Sequence, residues 1–418
     1  MSVSHRRSPR PARPTVALAG TVSTLLALLA CGGATVRTEA PPPVAAVVVI
    51  PPSPKVEAGL TVQLTATPED ASGHPLPGRA VTWASSDANV ATVSPSGLVE
   101  GKTAGWAAIT AASEGSSGTA AITVLVSTPA FEHVFIVIEE NRSYERVIDS
   151  AGTSYLQSLA HEYGLATQYY ANTHPSIGNY FMTTAGKVVS TNDGYEATVT
   201  EDNIVRQLLA AGKTWRSYAE DLPSVGFLGS GFGTLYARRH NPLSYFSDVV
   251  SDPVQRQNLV PFTQFAIDLA GNTLPNYSFI VPNLCHDAHD CSAAKADAWL
   301  QQNIDPLIHS AAFQKDGLLI ITFDESITSD TAKGGGHVVW VAVSSKSKRS
   351  YRSTTLYQHE STLRLTARAL RLTVLPGAAA TAPIMSEFFE PDDQARAAPG
   401  TWPGAALSIR APLLPLRR

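Results

Sequence analysis

Residues 131–144 read FEHVFIVIEENRSY, and this stretch decides how the rest of the chain is interpreted. Residues 134–138 form an unbroken run of β-branched and aromatic side chains, which is typical of a strand buried on both faces in a parallel sheet. The run ends abruptly in the polar residues Glu139, Glu140 and Asn141. Ligands of open α/β sheets bind beyond the carboxyl ends of the strands, so these oxygens stand where a site would form. The alternative is an ordinary turn whose polar side chains cap the next helix.

A second stretch repeats the pattern. Residues 315–325 read KDGLLIITFDE, in which 318–323 predict another buried strand that ends in Asp324 and Glu325. Two strands that both end in adjacent oxygen donors could build one site for a hard cation.

The length and composition bound the function classes. A chain of 418 residues is long enough for two or more domains, and 44% apolar with 16% charged residues is a globular balance. The formal net charge of −4 gives no indication of a general nucleic-acid binder, so no nucleic-acid partner is expected.

Residues 1–30 predict an export signal. Four arginines precede an apolar segment at 16–30, which is shorter than the roughly 20 residues that span a bilayer. The segment ends in LLAC, which resembles a bacterial lipobox and implies cleavage before Cys31 and lipidation of Cys31; the alternative is an ordinary signal peptide. The lipobox predicts a protein of the bacterial cell envelope, lipid-anchored to the membrane and facing the periplasm or the exterior. Residues 31–44 are a Pro-rich linker.

The two other cysteines bracket an unusual loop, NLCHDAHDC at 283–291. Cys285 and Cys291 lie six residues apart in a predicted exported protein and can pair, although two free thiols are the alternative. The loop presents four chemically versatile side chains, His286, Asp287, His289 and Asp290. This density favours a functional site over a polar loop that is only stapled for stability.

Residues 45–126 predict an all-β module. Apolar and polar residues alternate over short runs, and glycines recur at turn spacing, which is typical of a β-sandwich. Residues 81–111, VTWASSDANVATVSPSGLVEGKTAGWAAITA, resemble the bacterial Ig-like group 2 family. The resemblance implies a stalk or an adhesive spacer, which in the adhesive case would bind a cell-surface ligand.

Residues 131–390 predict an α/β domain. Helical spacing occurs at 155–163, where Gly164 is interpreted as a C-cap, at 204–211 and at 360–372, and further strands are predicted at 277–281 and 338–343. This alternation favours a mostly parallel sheet sandwiched by helices. Residues 391–418 are rich in Pro and Ala without periodicity and predict a loosely ordered tail.

Two loops of this domain carry further candidates. In NTHPSIGNY at 172–180, a turn bounded by Pro175 and Gly178 presents Ser176 two residues after His174, an arrangement that suits a nucleophile beside a proton carrier. The alternative is a turn in which Ser176 caps a helix. The glycines at 334–336 precede His337 and could allow close approach of the backbone to a phosphate, or form a flexible turn.

Eight motifs in order make the α/β part resemble the bacterial phosphoesterase family. They are HVFIVIEENRSY, THPSIGNY, KTWRSYAE, YARRHNP, LPNYSFIVPNLCHDAHDC, ITFDE, GGGHV and YQHEST, and they cover roughly residues 131–389. That family holds acid phosphatases and phospholipases C and is related to the alkaline-phosphatase-like superfamily. The resemblance is closer to the shorter acid-phosphatase branch and implies an alkaline-phosphatase-like fold.

The resemblance also implies roles for individual residues. The implied metal ligands are Glu140, Asn141, Ser176, Asp324 and Glu325. Ser176 falls where the superfamily has its nucleophile. The histidines that resemble those around the phosphate are His174, His286, His289 and His337. The oxygen set suits one divalent ion, Ca²⁺, Mg²⁺ or Mn²⁺, whereas recruitment of a histidine would favour Zn²⁺.

The predicted function is hydrolysis of phosphate monoesters in the manner of an acid phosphatase. A metal-activated Ser176 would form a phosphoserine, and His289 would protonate the leaving group. One alternative is a phospholipase C that cleaves phospholipid headgroups. The other is a non-catalytic surface adhesin that uses the Ig-like module.

Overall fold

The structure is a computed structural model that describes residues 41–231, 233 and 235–390. The predicted signal peptide at 1–30, Cys31, most of the linker and the tail at 391–418 lie outside the described residues. Among the helices of the described part, none combines the length and the apolar character needed to cross a membrane. The lipid anchor at Cys31 therefore stays a prediction.

The N-terminal part is a strand-rich, Ig-like region with its own hydrophobic core. Its nine strands are β1 (Ala46–Ile50), β2 (Lys55–Glu57), β3 (Thr61–Gln63), β4 (Thr65–Glu69), β5 (Thr82–Ser85), β6 (Ala91–Val93), β7 (Leu98–Gly101), β8 (Gly105–Ser113) and β9 (Ser116–Leu125). They form sheets in the orders β1-β4, β2-β9-β8-β5 and β3-β7-β6. Ala107, Ile109 and Ala111 of β8 alternate with less buried neighbours, as the period of a half-buried strand requires.

The C-terminal part is a mixed α/β domain. Its strands are β10 (His133–Glu139), β11 (Gly164–Ala166), β12 (Trp215–Ala219), β13 (Leu259–Pro261), β14 (Tyr277–Val281), β15 (Gly317–Phe323), β16 (Trp340–Val343) and β17 (Arg352–Ser353). Its helices are α1 (Tyr144–Ile148), α2 (Ser154–Glu162), α3 (Ile177–Ala185), α4 (Ile204–Ala210), α5 (Ser247–Val250), α6 (Pro253–Arg256), α7 (Thr263–Gly271), α8 (Ala293–Asn303), α9 (Asp305–Ile308), α10 (Ala311–Asp316) and α11 (His359–Ala369).

The eight strands form one sheet in the order β13-β12-β14-β10-β15-β16-β11-β17. The first five strands are mutually parallel, which confirms the predicted parallel sheet for this part. By contrast, β16 pairs antiparallel with both β15 and β11. All four residues of β16 are buried, so its sequence has the same continuous apolar character as a parallel strand and does not reveal its direction.

The centre of the core lies on β10 and β15. Every residue of β15 is buried, and so is every residue of β10 after His133. Because successive side chains point to opposite faces, both faces of these strands are covered. Phe135 of β10, for example, packs against Phe265 of α7 and Phe313 of α10, with ring centroids 6.4 and 6.0 Å apart.

Gly164 has a different role from the predicted C-cap. Helix α2 ends at Glu162, and Gly164 already lies in β11, where it is buried. A Cβ atom at this position would lie 2.7 Å from Cδ1 of Phe388. The glycine is therefore required by the close packing of strand and ring, which the local sequence does not reveal.

The Ig-like region contacts the α/β domain through a buried carboxylate. Oε1 of Glu57 accepts hydrogen bonds from the backbone N–H of Thr128, at 3.0 Å, and from its hydroxyl. Oε2 of Glu57 lies 4.0 Å from Nε of Arg368, near the end of α11. The linker between the two parts is thus packed at Thr128. Helix α11 runs from His359, next to Asp324, to the neighbourhood of this contact at Arg368.

Candidate functional site

The carboxyl ends of β10 and β15 lie side by side, as the sequence predicts. Glu139 pairs with Phe323 in the sheet, and the N–H of Asp324 donates to the carbonyl of Glu139 at 2.9 Å. Asn141, two residues after the end of β10 at Glu139, has a positive φ of 53°. This bend allows the N–H of Asn141 to donate to Oδ1 of Asp324 at 3.2 Å, which locks the two polar strand ends together.

Ser176 lies at the start of α3 and faces this strand end. It is 2% exposed, and its hydroxyl donates to Oε2 of Glu140 at 3.1 Å. Although Ser176 occupies the N-cap position, its side chain makes no capping hydrogen bond. Asn179 fixes the preceding loop, because its Oδ1 accepts from the N–H groups of Asn172 and Thr173 at 2.9 and 3.1 Å. The Ser176 hydroxyl therefore points into the site and does not cap the start of α3.

The glycines at 334–336 support the same loop. A Cβ atom at Gly334 would lie 2.0 Å from the carbonyl oxygen of Asn172, and one at Gly335 would lie 2.4 Å from that of Thr173. Neither sequence interpretation, approach to a phosphate or a flexible turn, describes this packing. The glycines allow close approach to the chain's own backbone just before Ser176.

His240 and Asp287 complete the group around Glu140. Nε2 of His240 lies 3.1 Å from Oε1 of Glu140, and its Nδ1 lies 3.0 Å from Oδ2 of Asp287. Tyr180 of α3 donates to Oε1 of Glu140 at 2.7 Å and stacks on the His240 ring. Glu140, His240 and Asp287 are buried, and their ligand atoms lie close enough together to hold a metal ion. His240 and Tyr180 have no role predicted from the sequence, and their signals there are the motifs YARRHNP and THPSIGNY.

His174 and His289 lie beside this group. Nδ1 of His174 is 3.2 Å from Oε1 of Glu325, and its Nε2 is 2.9 Å from the carbonyl oxygen of Asp330. The ring centroid of His289 is 5.8 Å from that of His240, and its Nδ1 is 2.7 Å from Oδ1 of Asp290. These two predicted histidines are thus brought to the edge of the site.

His286 and His337 are engaged elsewhere. Nδ1 of His286 lies 2.9 Å from Oε2 of Glu220, and its ring stacks on Trp299. The ring of His337 stacks on Tyr144 and Tyr170, with centroids 4.4 and 4.9 Å away. Both ring nitrogens of His337 are also engaged, with Oε1 of Glu145 at 3.2 Å and the carbonyl oxygen of Thr167 at 3.1 Å. None of these contacts connects either histidine to Ser176 or Glu140.

The disulfide loop is fastened to the end of β10. Cys285 and Cys291 are bonded, which confirms the predicted pairing. The N–H of Glu140 donates to the carbonyl of Asp287 at 2.6 Å. Arg142 donates to the carbonyls of Asn141 and Cys291, at 3.0 and 2.9 Å. The loop therefore delivers Asp287 to His240 from a fixed position.

His359, at the start of α11, holds the other strand end. Its Nε2 lies 2.7 Å from the carbonyl oxygen of Asp324, and its Nδ1 lies 3.1 Å from the hydroxyl of Tyr169. Burial lowers the pKa of His359 to about 4, so the ring is neutral near pH 7. Its sequence signal was the motif YQHEST, to which no role was assigned.

The acids of the site are strongly perturbed. Burial raises the pKa of Glu140, and the charges of Asp324 and Asp287 raise it further. Burial also raises the pKa of Asp324, that of Asp287 to about 7 and that of Glu325 to about 8. Neighbouring carboxylates in a dry site cannot all ionise without a compensating positive charge.

The unpaired oxygens of these acids fit a metal ion. Oδ2 of Asp324 and Oε2 of Glu325 are buried and have no hydrogen-bond partner among the described residues. Buried polar atoms are nearly always paired, and carboxylate with hydroxyl oxygens is a donor set that hard divalent cations prefer. The residues of this cluster therefore fit a divalent cation.

Comparison with known proteins relates each of the two parts of the chain to a family. Residues 148–372 match the phosphoesterase family, and residues 43–124 match the bacterial Ig-like domain (group 2). The chain is 32% identical over 246 residues to a probable acid phosphatase of Kluyveromyces lactis, which covers 57% of this chain and 58% of that protein. It is 37% identical over 199 residues to a phosphatidylinositol-3-phosphatase of Mycobacterium tuberculosis, which covers 47% of this chain and 64% of that protein.

An acid phosphatase of Aspergillus fumigatus is 34% identical over 207 residues, covering 48% of this chain and 46% of that protein. The chain thus spans about half to two thirds of the length of these relatives. The family match covers more than half of the chain, including Ser176, His240, the disulfide loop and the end of β15. The chain belongs to the phosphoesterase family.

Proposed function

We propose that the chain hydrolyses phosphate monoesters with Ser176 as the nucleophile. The observation that carries the proposal is the buried hydroxyl of Ser176, which donates to Glu140 inside a cluster of acids with unpaired oxygens. The names of the relatives, acid phosphatases and a phosphatidylinositol-3-phosphatase, support a phosphate ester as the substrate.

One divalent cation belongs to this proposal. The residues that would hold it are Glu140, Asn141, Ser176, Asp324 and Glu325, with His240 beside Glu140 as a nitrogen ligand. When bound, the ion lowers the pKa of the serine hydroxyl and offsets charge on the phosphoryl oxygens. The oxygen donors suit Ca²⁺, Mg²⁺ or Mn²⁺, and participation of His240 would favour Zn²⁺.

The side chains of the site divide the proton transfers. Ser176 attacks phosphorus, and its proton leaves toward Oε2 of Glu140, the oxygen that already accepts its hydrogen bond. His289 protonates the leaving oxygen, because it is partly exposed at the edge of the site and its Nδ1 is held 2.7 Å from Oδ1 of Asp290. Asp287 orients His240 through Nδ1, which leaves Nε2 directed toward Glu140. Water then attacks the phosphoserine and gives its proton to His289, the bond between phosphorus and the Ser176 oxygen breaks, and Glu140 returns the proton to that oxygen as phosphate leaves.

A hydrolysis panel tests the proposal. The substrates are p-nitrophenyl phosphate, its phosphorylcholine ester and bis-p-nitrophenyl phosphate, each with added divalent metals and with a chelator. We expect turnover of the monoester that the chelator abolishes. Preferential turnover of the phosphorylcholine ester would instead favour a phospholipase C. No turnover of any substrate with any metal would overturn the proposal and favour an adhesin based on the Ig-like region.

We also propose that the protein is exported and lipid-anchored through Cys31, on the basis of the signal-like residues 1–30. Cys31→Ala should release the protein from the membrane fraction without loss of activity in the soluble fraction. Retention of this variant in washed membranes would contradict the anchor.

A further inference from the structure

Arg239 places a guanidinium at the edge of the site with hydrogen-bonding capacity left over. It lies in a short 3₁₀ turn, Arg238–His240, next to the histidine that contacts Glu140. Its Nε is buried and has no hydrogen-bond partner within the described part of the chain. Nη2 of Arg239 lies 3.3 Å from Nε2 of His289. The side chain is thus near His240 and His289 and is not fully paired.

The nearest carboxylate to Arg239 is tied to the nucleophile helix. Oδ2 of Asp193 lies 3.8 Å from Nε of Arg239, which is beyond hydrogen-bond distance. Oδ1 of Asp193 accepts from the N–H of Ile177, the residue after Ser176, at 3.2 Å. Asp193 therefore bridges Arg239 to the beginning of α3 without fully satisfying the guanidinium.

The neighbouring arginines are used for structure. Arg142 donates to the carbonyls of Asn141 and Cys291. Arg238 donates to the hydroxyl and the carbonyl of Ser244 and lies over the ring of Tyr245. Of these three arginines, only Arg239 has a buried guanidinium nitrogen without an acceptor among the described residues.

We propose that Arg239 binds the non-bridging oxygens of the phosphoryl group and selects dianionic monoesters over monoanionic diesters. The inference rests on the proposed function. A monoester phosphate carries roughly two negative charges at neutral pH, and a guanidinium forms two parallel hydrogen bonds to such a group. The cluster beside it is rich in carboxylates, so a second negative charge on the substrate needs a cation of this kind. A diester lacks that charge and gains less from Arg239.

The test compares Arg239→Gln with wild type on p-nitrophenyl phosphate and bis-p-nitrophenyl phosphate. We expect kcat/KM to fall by about 100-fold for the monoester and by less than about 10-fold for the diester, in line with the loss of one donor to a reacting phosphoryl group. Arg239→Lys keeps the charge without the planar fork and should recover about 10-fold of the monoester loss. Equal losses on both esters, or no loss, would overturn the role of Arg239.

Arg349→Gln is the matched control, because Arg349 forms an exposed ion pair with Glu162 outside the site. Binding of inorganic phosphate, followed by calorimetry, adds a measurement that does not depend on turnover. We expect about 10-fold weaker binding for Arg239→Gln and no change for the control. Unchanged binding would overturn the proposal. If Arg239→Gln fails to fold by circular dichroism, the ester ratio and phosphate affinity of Arg239→Lys decide in its place.

The two proposals fail in different ways. If wild type hydrolyses none of the esters, the proposed function fails and the role of Arg239 fails with it. If wild type is active and Arg239→Gln keeps the wild-type ester ratio, only the role of Arg239 fails.

Discussion

Two buried acids of the α/β domain, Asp268 and Asp324, have pKa values shifted in opposite directions. Asp268 of α7 accepts hydrogen bonds from Arg216, from Tyr218 at 2.6 Å and from Gln264 at 2.9 Å. Burial raises the pKa of Asp268, but the hydrogen bonds from Tyr218 and Arg216 outweigh it, and the net pKa is lowered. This carboxylate is fully compensated by its own chain.

Asp324 is buried at least as deeply but is not compensated. Its Oδ2 has no partner among the described residues, and the charge of Glu325 adds to the effect of burial in raising its pKa. Asp268 shows that this fold can surround a buried carboxylate with enough hydrogen-bond donors to keep it ionised. At the strand ends it leaves acids unpaired, which is the arrangement expected where a cation from outside the chain supplies the missing charge.

The largest expected effect is that of Ser176→Ala. Loss of the nucleophile should lower turnover by about 10³-fold or more, while binding of metal and phosphate persists through the remaining groups. Wild type quenched during turnover should carry phosphate on the peptide that contains Ser176, as shown by mass spectrometry. Ser158→Ala, which removes a helix hydroxyl bonded to the carbonyl of Tyr155, is the control. Phosphate mapped to another residue would contradict the mechanism.

The paired variants Asp324→Asn and Asp268→Asn test the comparison directly. Asp324→Asn should lower metal-dependent activity by about 100-fold and leave the metal-free protein about as stable, because the raised pKa of Asp324 already favours its neutral form and the amide is a neutral group of similar size. Asp268→Asn should keep the metal dependence and lose about 2 kcal/mol of unfolding free energy, because it weakens charge-assisted hydrogen bonds. Urea unfolding with and without chelator measures both. The comparison would be wrong if the two variants behaved alike.

The pH dependence of stability provides a third test. In the metal-free protein the pKa of Asp287 is raised from 3.8 to about 7 and that of Glu325 from 4.5 to about 8. Each group keeps its proton in the folded state after losing it in the unfolded state, so folding stability should fall as pH rises from about 4 to about 8. Asp268, whose pKa is lowered, contributes stability that is lost only as pH falls below about 4.

Thermal unfolding with chelator and with saturating metal would show the effect. The melting temperature should decline with pH in chelator, and metal should reduce that decline because it binds the ionised acids. A melting temperature that rises through this range in chelator would contradict the raised pKa values. Glu325→Gln is the matching variant, since it should flatten part of the decline without metal.

The parts of the site that local sequence patterns mark could be predicted from the sequence. The strands that end at Glu139 and Phe323 are continuous apolar runs, and the turn around Ser176 is marked by Pro175 and Gly178. His240 could not be found in this way, because it meets Glu140 across 100 residues of sequence and lies in a short 3₁₀ turn without periodicity. The roles that the resemblance implies for His286 and His337 stay predictions. Their contacts with Glu220, Tyr144 and Tyr170 depend on tertiary packing, which a local sequence pattern does not reveal.

The smallest expected effect comes from removal of the Ig-like region. We propose that residues 45–126 and 131–390 are separate domains, which a protein beginning at Ser127 would test. Glu57 accepts two hydrogen bonds from Thr128 and lies near Arg368. Removal of the Ig-like region therefore leaves Thr128 and Arg368 without this buried partner. We expect a loss of about 1–2 kcal/mol in unfolding free energy.

Activity of the shortened protein should stay within about threefold of the full chain, because no residue of the Ig-like region contacts the described site. Glu57→Gln in the full chain is the matched variant: it keeps the region and one acceptor oxygen but removes the charge near Arg368, so its stability loss should be the smaller of the two. The route by which the contact could reach the site is α11, which carries Arg368 near its end and His359 at its start, 2.7 Å from the carbonyl oxygen of Asp324. A loss of activity well above threefold with the fold intact by circular dichroism would show that α11 transmits the contact to Asp324, and that the Ig-like region shapes the site rather than only supporting it.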